Sequence, residues 1–189
     1  MKNKKLLVIL GVVLVIVLLV SSVVGTYNSL VNLEATVEEK QAAISTQLQR
    51  RSDLIPNLVN TVKGYAAHEE EVYTAIADAR SKLAGATSVE ELNNANSELS
   101  SALSRLLVVV ENYPALKANE NFIALQYQLE GTENRIAVAR NDYNEAAKKY
   151  NTKIRRFPAS IFAGIFGFEK VDYFEAQAGA ENAPEVSFE

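Results

Sequence analysis

The stretch LVNLEATVEEKQAAISTQLQRRSDLIPNLVNTVKGY, residues 30–65, places Leu30, Leu33, Val37, Ile44, Leu48, Ile55, Leu58, Val62 and Tyr65 at alternating three- and four-residue steps. Gln41 and Arg51 fill the two remaining positions of the series. Such steps keep side chains on one face of an α-helix, whereas a half-buried strand alternates every second residue. A repeat held for about five heptads is a coiled-coil-like seam, which buries itself only against other helices. Pro56 falls inside it and predicts a local kink.

Toward the N-terminus, Leu6 to Val20 is an unbroken apolar run, and Ser21, Ser22, Val23 and Val24 extend it. Its length is close to the roughly 20 residues that a helix needs to cross a bilayer. Lys2, Lys4 and Lys5 would also suit the start of a cleaved signal peptide, but the run exceeds a signal's usual apolar core and no Ala-x-Ala site follows. Val23-x-Gly25 is the nearest approach to one. An uncleaved, single-pass anchor is expected. Three lysines precede the span, while residues 25–40 offer only Lys40 beside Glu34, Glu38 and Glu39. Local positive charge therefore predicts a cytoplasmic N-terminus and a domain outside.

Toward the C-terminus, Gly64 and His68 mark a turn, and a second helix is expected over residues 69–84 with Val72, Ile76, Ala79 and Leu83 inward. Gly85 closes it, and Ser88-Val-Glu-Glu91 reads as a capping box that opens a third helix. That helix turns Leu92, Leu99, Leu103, Leu106 and Val110 inward and stops before Pro114, which suits a helical first turn. A fourth helix is expected from there to about Arg155, along Phe122, Leu125, Leu129, Thr132, Ile136, Ala139, Tyr143, Ala146 and Tyr150. The fold class is all-α: a transmembrane helix followed by an antiparallel, up-down bundle of four long helices. Short connections make successive helices antiparallel, which would return the end of the fourth helix to the bilayer. The expected boundaries are 1–26 for the stub and anchor, 27–174 for the bundle with a short terminal helix, and 175–189 for an acidic, disordered tail.

Composition narrows the function classes. Gly (8) and Pro (4) are sparse, too few for the turns of an all-β chain. Without Lys2, Lys4 and Lys5, 16 basic residues face 23 acidic ones, which argues against nucleic acid as a partner. There is no cysteine, hence no disulfide, thiolate metal site or lipid-attachment cysteine. The single histidine, His68, stands beside Glu69, Glu70 and Glu71, where it reads as a solvated helix start rather than a catalytic base. Neither Glu-x-x-His nor a Gly-x-x-x-x-Gly-Lys loop occurs. No catalytic residue, cofactor or metal is expected.

Two groups of residues are candidates for function. Gln41, Arg51, Thr132 and one of Asn134 or Arg135 should face other helices, where buried polar groups fix register. Arg51 would pair there with Glu130 or Glu133; alternatively, Arg50, Arg51 and Asp53 form an exposed partner site. The second group is Lys148, Lys149, Lys153, Arg155 and Arg156, followed by FPASIFAGIFGF at residues 157–168, which carries Phe157, Phe162 and Phe166. That segment is too short to span. Cations beside aromatic rings suit a bilayer interface, and the same apolar residues could equally fold back and close the bundle's end.

Several ordered blocks carry a family resemblance: Arg50-Arg-Ser-Asp-Leu-Ile-Pro-Asn-Leu-Val59, Lys63-Gly-Tyr-Ala-Ala-His-Glu69, Tyr113-Pro-Ala-Leu-Lys-Ala-Asn119 and Leu129-Glu-Gly-Thr-Glu-Asn-Arg-Ile136. With Tyr143-Asn, Tyr150-Asn and Arg156-Phe-Pro158, the chain resembles the LemA family from Tyr27 to about Phe174. The resemblance implies a membrane-anchored antiparallel helical bundle in bacteria, without catalytic residues to carry over. It also implies ties to membrane remodelling or membrane-protein quality control, in some members beside a membrane metalloprotease. The expected function is a non-enzymatic scaffold or adaptor whose partners are the lipid bilayer, membrane proteins or further copies of the chain. The alternative is a membrane-shaping protein that uses residues 157–168 as a second, interfacial contact.

Overall fold

The computed structural model describes residues 2–175, with side chains from Ile9 onward, and the regular structure among them is entirely helical. Apart from Glu175, the expected acidic tail lies outside the described residues. In chain order the helices are α1 (Lys2–Lys63), α2 (Glu70–Gly85), α3 (Val89–Val110), α4 (Pro114–Lys117), α5 (Glu120–Arg155) and α6 (Ala159–Phe166). The chain divides into two compact units, Met1–Lys40 with Asn144–Val171, and Gln41–Tyr143 with Asp172–Glu189.

The first unit contains the apolar part of α1, which is long and apolar enough to cross a membrane. From Ile9 to Val20 its large side chains are more than half exposed, whereas Leu30 is completely buried. None of the described residues covers that apolar surface, which fits a helix whose solvent is lipid. Beyond it, Leu30 and Val37 of α1 are buried, as are Ala146, Ala147, Tyr150 and Ile154 of α5.

In the second unit the heptad positions Ile44, Leu48, Ile55, Leu58 and Val62 are buried, and Pro56 sits within α1 without ending it. Tyr65, the last member of the series, is exposed. On α2 the buried set is Tyr73, Ile76, Ala79 and Leu83, with Tyr73 taking the place expected of Val72. Its hydroxyl explains the choice, because it donates to the Ala66 carbonyl at 2.6 Å across the turn. Ser88 and Glu91 form the capping box that opens α3. The stretch from Pro114 to Arg155 is a correction: it is two helices, not one. Asn119 breaks it by accepting from the Phe122 N–H at 3.1 Å and donating to the Tyr65 hydroxyl at 3.0 Å. The side chain thus supplies an N-cap to α5 and ties it to the end of the α1 segment.

Candidate functional site

The segment after α5 decides the geometry of the first candidate site. The Phe157–Pro158 peptide is cis, α6 begins at Ala159, and Gly167 closes it in the left-handed conformation that glycine adopts without strain (φ 77°). Ala159 and Ala163, one helical turn apart, are buried. Ile161 and Ile165 lie on the other side, exposed to 52% and 69%, with Phe157 at 83% and Phe166 at 48%. Phe162 is half-buried. The helix therefore buries Ala159 and Ala163 and leaves Ile161 and Ile165 outward, the reverse of what burial in water favours.

This patch sits beside the exit of the apolar span. The Tyr27 ring meets those of Phe166 and Phe168 edge-on, at centroid separations of 5.0 and 5.8 Å. Tyr27 is three residues past Val24, a rise of about 4.5 Å along the helix. Farther up α1, the buried Tyr150 hydroxyl neighbours the Glu34 carboxylate, and desolvation reinforced by that charge pushes its pKa up to about 12. Asn151 holds the segment after α6 through its Val171 backbone, donating to the carbonyl at 2.8 Å and accepting from the N–H at 3.0 Å. Of the expected cations, Lys148, Lys149, Arg155 and Arg156 are exposed and Lys153 is half-buried. Lys149 pairs with Glu145 at 2.6 Å.

The second candidate site is the polar part of the seam in the second unit. Arg51, only 6% exposed, directs Nη1 at the Asn96 Oδ1 (2.7 Å), the Ser100 hydroxyl (3.1 Å) and the Glu133 carboxylate (2.6 Å). Burial depresses its pKa and the Glu133 charge works against that shift. Nearby Arg140 is also held below its ordinary value, by burial first, with Glu133 raising it and Arg51 lowering it. A groove of about 310 Å³ opens beside Arg51, between Leu58, Leu103, Leu107 and Leu129, with Glu130 and Glu133 among its polar lining. Thr132 is buried and donates to the Leu129 carbonyl at 2.7 Å, and Gln41 is half-buried. Arg135, expected to face other helices, is exposed instead, as is Asn134. Arg135 lies one step off the line through Thr132 and Ile136, whereas Arg140 lies on that line, between Ile136 and Tyr143.

Four members of these sites escaped the sequence. Asn96 stands at seam spacing between Leu92 and Leu99 and is completely buried, so a polar residue in an apolar series was its signal. Arg140 had the same signal. Tyr27 had a weaker one, an aromatic ring just past an apolar span. Asn151 had none, because its partner is irregular backbone without a periodic pattern.

The LemA family model matches residues 40–188, a range that includes the Arg51 cluster and the α5–α6 part of the first site, but not Tyr27 or Glu34. The chain belongs to the LemA family. Among relatives of this LemA-family chain, magnetosome protein MamQ 2 of Paramagnetospirillum magneticum is 27% identical, across 89% of this chain and 72% of its own length. Magnetosome protein MamQ of Magnetospirillum gryphiswaldense is also 27% identical, over 88% of this chain and 71% of its own. Protein LemA of Metamycoplasma hominis, again 27% identical, is matched over 81% of this chain and 70% of its own.

Proposed function

We propose that the chain is a non-enzymatic helical scaffold of the bacterial inner membrane that meets the bilayer twice, by spanning it with α1 and by laying α6 on its surface. The observation that carries this reading is the inverted face of α6 beside Tyr27. Fully burying an exposed isoleucine or phenylalanine is worth about 1.5–3 kcal/mol, and α6 leaves that gain unrealised in water. The headgroup layer supplies the missing partner: it is roughly 5–8 Å deep on each side of the hydrocarbon, and Tyr27 stands about 4.5 Å above Val24. Phe157, Ile161 and Ile165 then reach toward the acyl boundary, while Ala159 and Ala163 keep the helix docked on its own unit.

The scaffold half of the proposal rests on the second unit. Contacts that climb from Arg51 in α1 to Tyr65 just past its end descend from Glu133 in α5 to Asn119 just before its start, which supports an antiparallel four-helix bundle there. The Arg51 cluster supports a single register for it, and the groove beside Arg51 offers a face for a membrane protein or a second copy. The N-terminus is assigned to the cytoplasm on the strength of Lys2, Lys4 and Lys5. Two magnetosome proteins among the relatives lend support to a role at a bacterial membrane.

The chain contains no tryptophan, so a Phe157→Trp variant reports from one place only. In vesicles of brominated phospholipid, anchored full-length protein should show quenched fluorescence; emission unaffected by the bromines would overturn the second contact. Photocrosslinking from Arg156 in intact membranes tests the scaffold. Recovery of one defined membrane protein, or of the chain itself, is expected, and labelling of lipid alone would leave membrane contact as the whole role.

A further inference from the structure

We infer that the end of α5 and the start of α6 form a site selective for anionic lipid headgroups, in which Arg155 and Arg156 make the contact and Lys148 and Lys149 do not. The inference rests on the second-contact reading and adds the lipid class and the residues that select it. Residues 144–171 hold six cations, Lys148, Lys149, Lys153, Arg155, Arg156 and Lys170, against Glu145 and Glu169, a local charge of +4 in a chain of net charge -4. The helix dipole accounts for part of this, because it favours Lys153 and Arg155 in the last turn of α5. It does not account for Arg156, which lies past the end of α5, or for the lysine pair about two turns upstream, since the effect fades within one turn.

Height above the bilayer separates the two groups. Glu34 lies ten residues past Val24, about 15 Å along α1, and Tyr150 is its neighbour. From Tyr150 the chain descends toward Tyr27, where α6 sits. Lys148 and Lys149 therefore stand above 15 Å, clear of a headgroup layer roughly 5–8 Å deep. Arg155 and Arg156 come five and six residues later, at about 6–8 Å, inside that layer. A guanidinium there can bind a lipid phosphate through two parallel N–H donors, a geometry that an ammonium lacks. Phe157 follows directly and carries the contact from headgroup into acyl chain. The exposed apolar residues that follow these cations favour a lipid surface over a nucleic acid, whose phosphates would offer Ile161 and Ile165 nothing to bury against.

A cation at an anionic surface is worth about fivefold in the equilibrium between engaged and withdrawn states, the equivalent of about 1 kcal/mol. Full-length protein carrying Phe157→Trp would be reconstituted into brominated phosphatidylcholine vesicles, with or without brominated phosphatidylglycerol. Quenching should be greater with phosphatidylglycerol, and raising salt to about 1 M, where the screening length is roughly 3 Å, should shrink the difference. Arg155→Gln with Arg156→Gln should remove most of it, about 25-fold in the underlying equilibrium. Lys148→Gln with Lys149→Gln should leave most of it. Equal quenching in the two vesicles would overturn anionic selectivity while leaving the second contact intact; no quenching in either would overturn the second contact itself. A lysine pair that matters as much as the arginine pair would overturn the assignment of Arg155 and Arg156 as the contact.

Discussion

The Arg51 cluster and α6 each break the rule that apolar groups lie inside and polar groups outside, in opposite directions. In the second unit a buried guanidinium and a buried amide meet a half-buried hydroxyl through Arg51 Nη1. In the first unit, isoleucines and a phenylalanine stand in the open with two alanines tucked beneath them. The buried polar cluster is satisfied around Arg51 Nη1, while Arg51 Nε and Asn96 Nδ2 have no hydrogen-bond partner, and its cost in desolvation is offset in part by contacts that join α1, α3 and α5. The exposed apolar face is open, and on the reading proposed above its partner is the bilayer. An inversion that is satisfied internally specifies a structure, and one that is not specifies a surface.

The sharpest way to break that contrast is to open the closed site. Arg51→Ala removes the hub of the cluster and leaves Asn96 and Glu133 facing each other without it. Because Glu133 is partly exposed and can recover water, the loss should be near the low end for a broken buried pair, about 3 kcal/mol. Chemical denaturation of the full chain in detergent, followed by circular dichroism, measures it. A loss below about 0.5 kcal/mol would make the cluster incidental. Next in size is Ala163→Leu, which adds bulk to the inward face of α6. Overpacking there should cost about 1–3 kcal/mol and loosen α6. If the variant is as stable as the parent, the alanine face is not packed and the inversion of α6 is lost.

The sequence made the closed site more legible than the open one. Arg51 stood out because it interrupts a run of apolar heptad positions, and the expected antiparallel pairing put Glu133 within reach as one of two named partners. The Ser88-Val-Glu-Glu91 motif revealed the capping box, and periodicity most buried positions. It did not reveal that Asn119 splits the last long helical stretch, because an N-cap inside a helix-favouring run is decided by a tertiary partner, the Tyr65 hydroxyl. Residues 157–168 were legible as a basic-aromatic segment, yet their two readings stayed level. Composition cannot say which side of a short helix is covered, and burial of Ala159 and Ala163 with exposure of Ile161 and Ile165 supports a division of labour between them.

A smaller effect contrasts the buried charge of Arg51 with an exposed one. Glu91 accepts from the Thr87 N–H, the Ser88 N–H and the Thr87 hydroxyl, in that order of weight, and its pKa is lowered from 4.5 to about 2. The folded value lies below the ordinary one, so the contribution is complete above about pH 4.5 and is lost as pH falls toward 2. Thermal unfolding across that window should lose part of its slope in Glu91→Gln. Ser88→Ala removes the other half of the capping box, the hydroxyl that accepts from the Glu91 N–H at 3.1 Å, and should cost about 1 kcal/mol at any pH. An unchanged slope in the glutamine variant would show that the acid sensitivity lies in other carboxylates.

The smallest expected effect is the one that most sharpens the contrast. Ile165→Ser removes a large apolar side chain that is 69% exposed, so in detergent-solubilised protein the change in stability should stay within about 0.5 kcal/mol. A buried isoleucine replaced in this way would cost several times more, through the lost transfer energy and the cavity left behind. The same variant in a bilayer should show α6 withdrawn, with weaker quenching of the Phe157→Trp reporter. Stability and membrane contact thus separate in one substitution. If Ile165→Ser instead destabilises the solubilised protein by more than about 1 kcal/mol, its side chain is packed against protein. The outer face of α6 would then be core, and the two inversions would reduce to one.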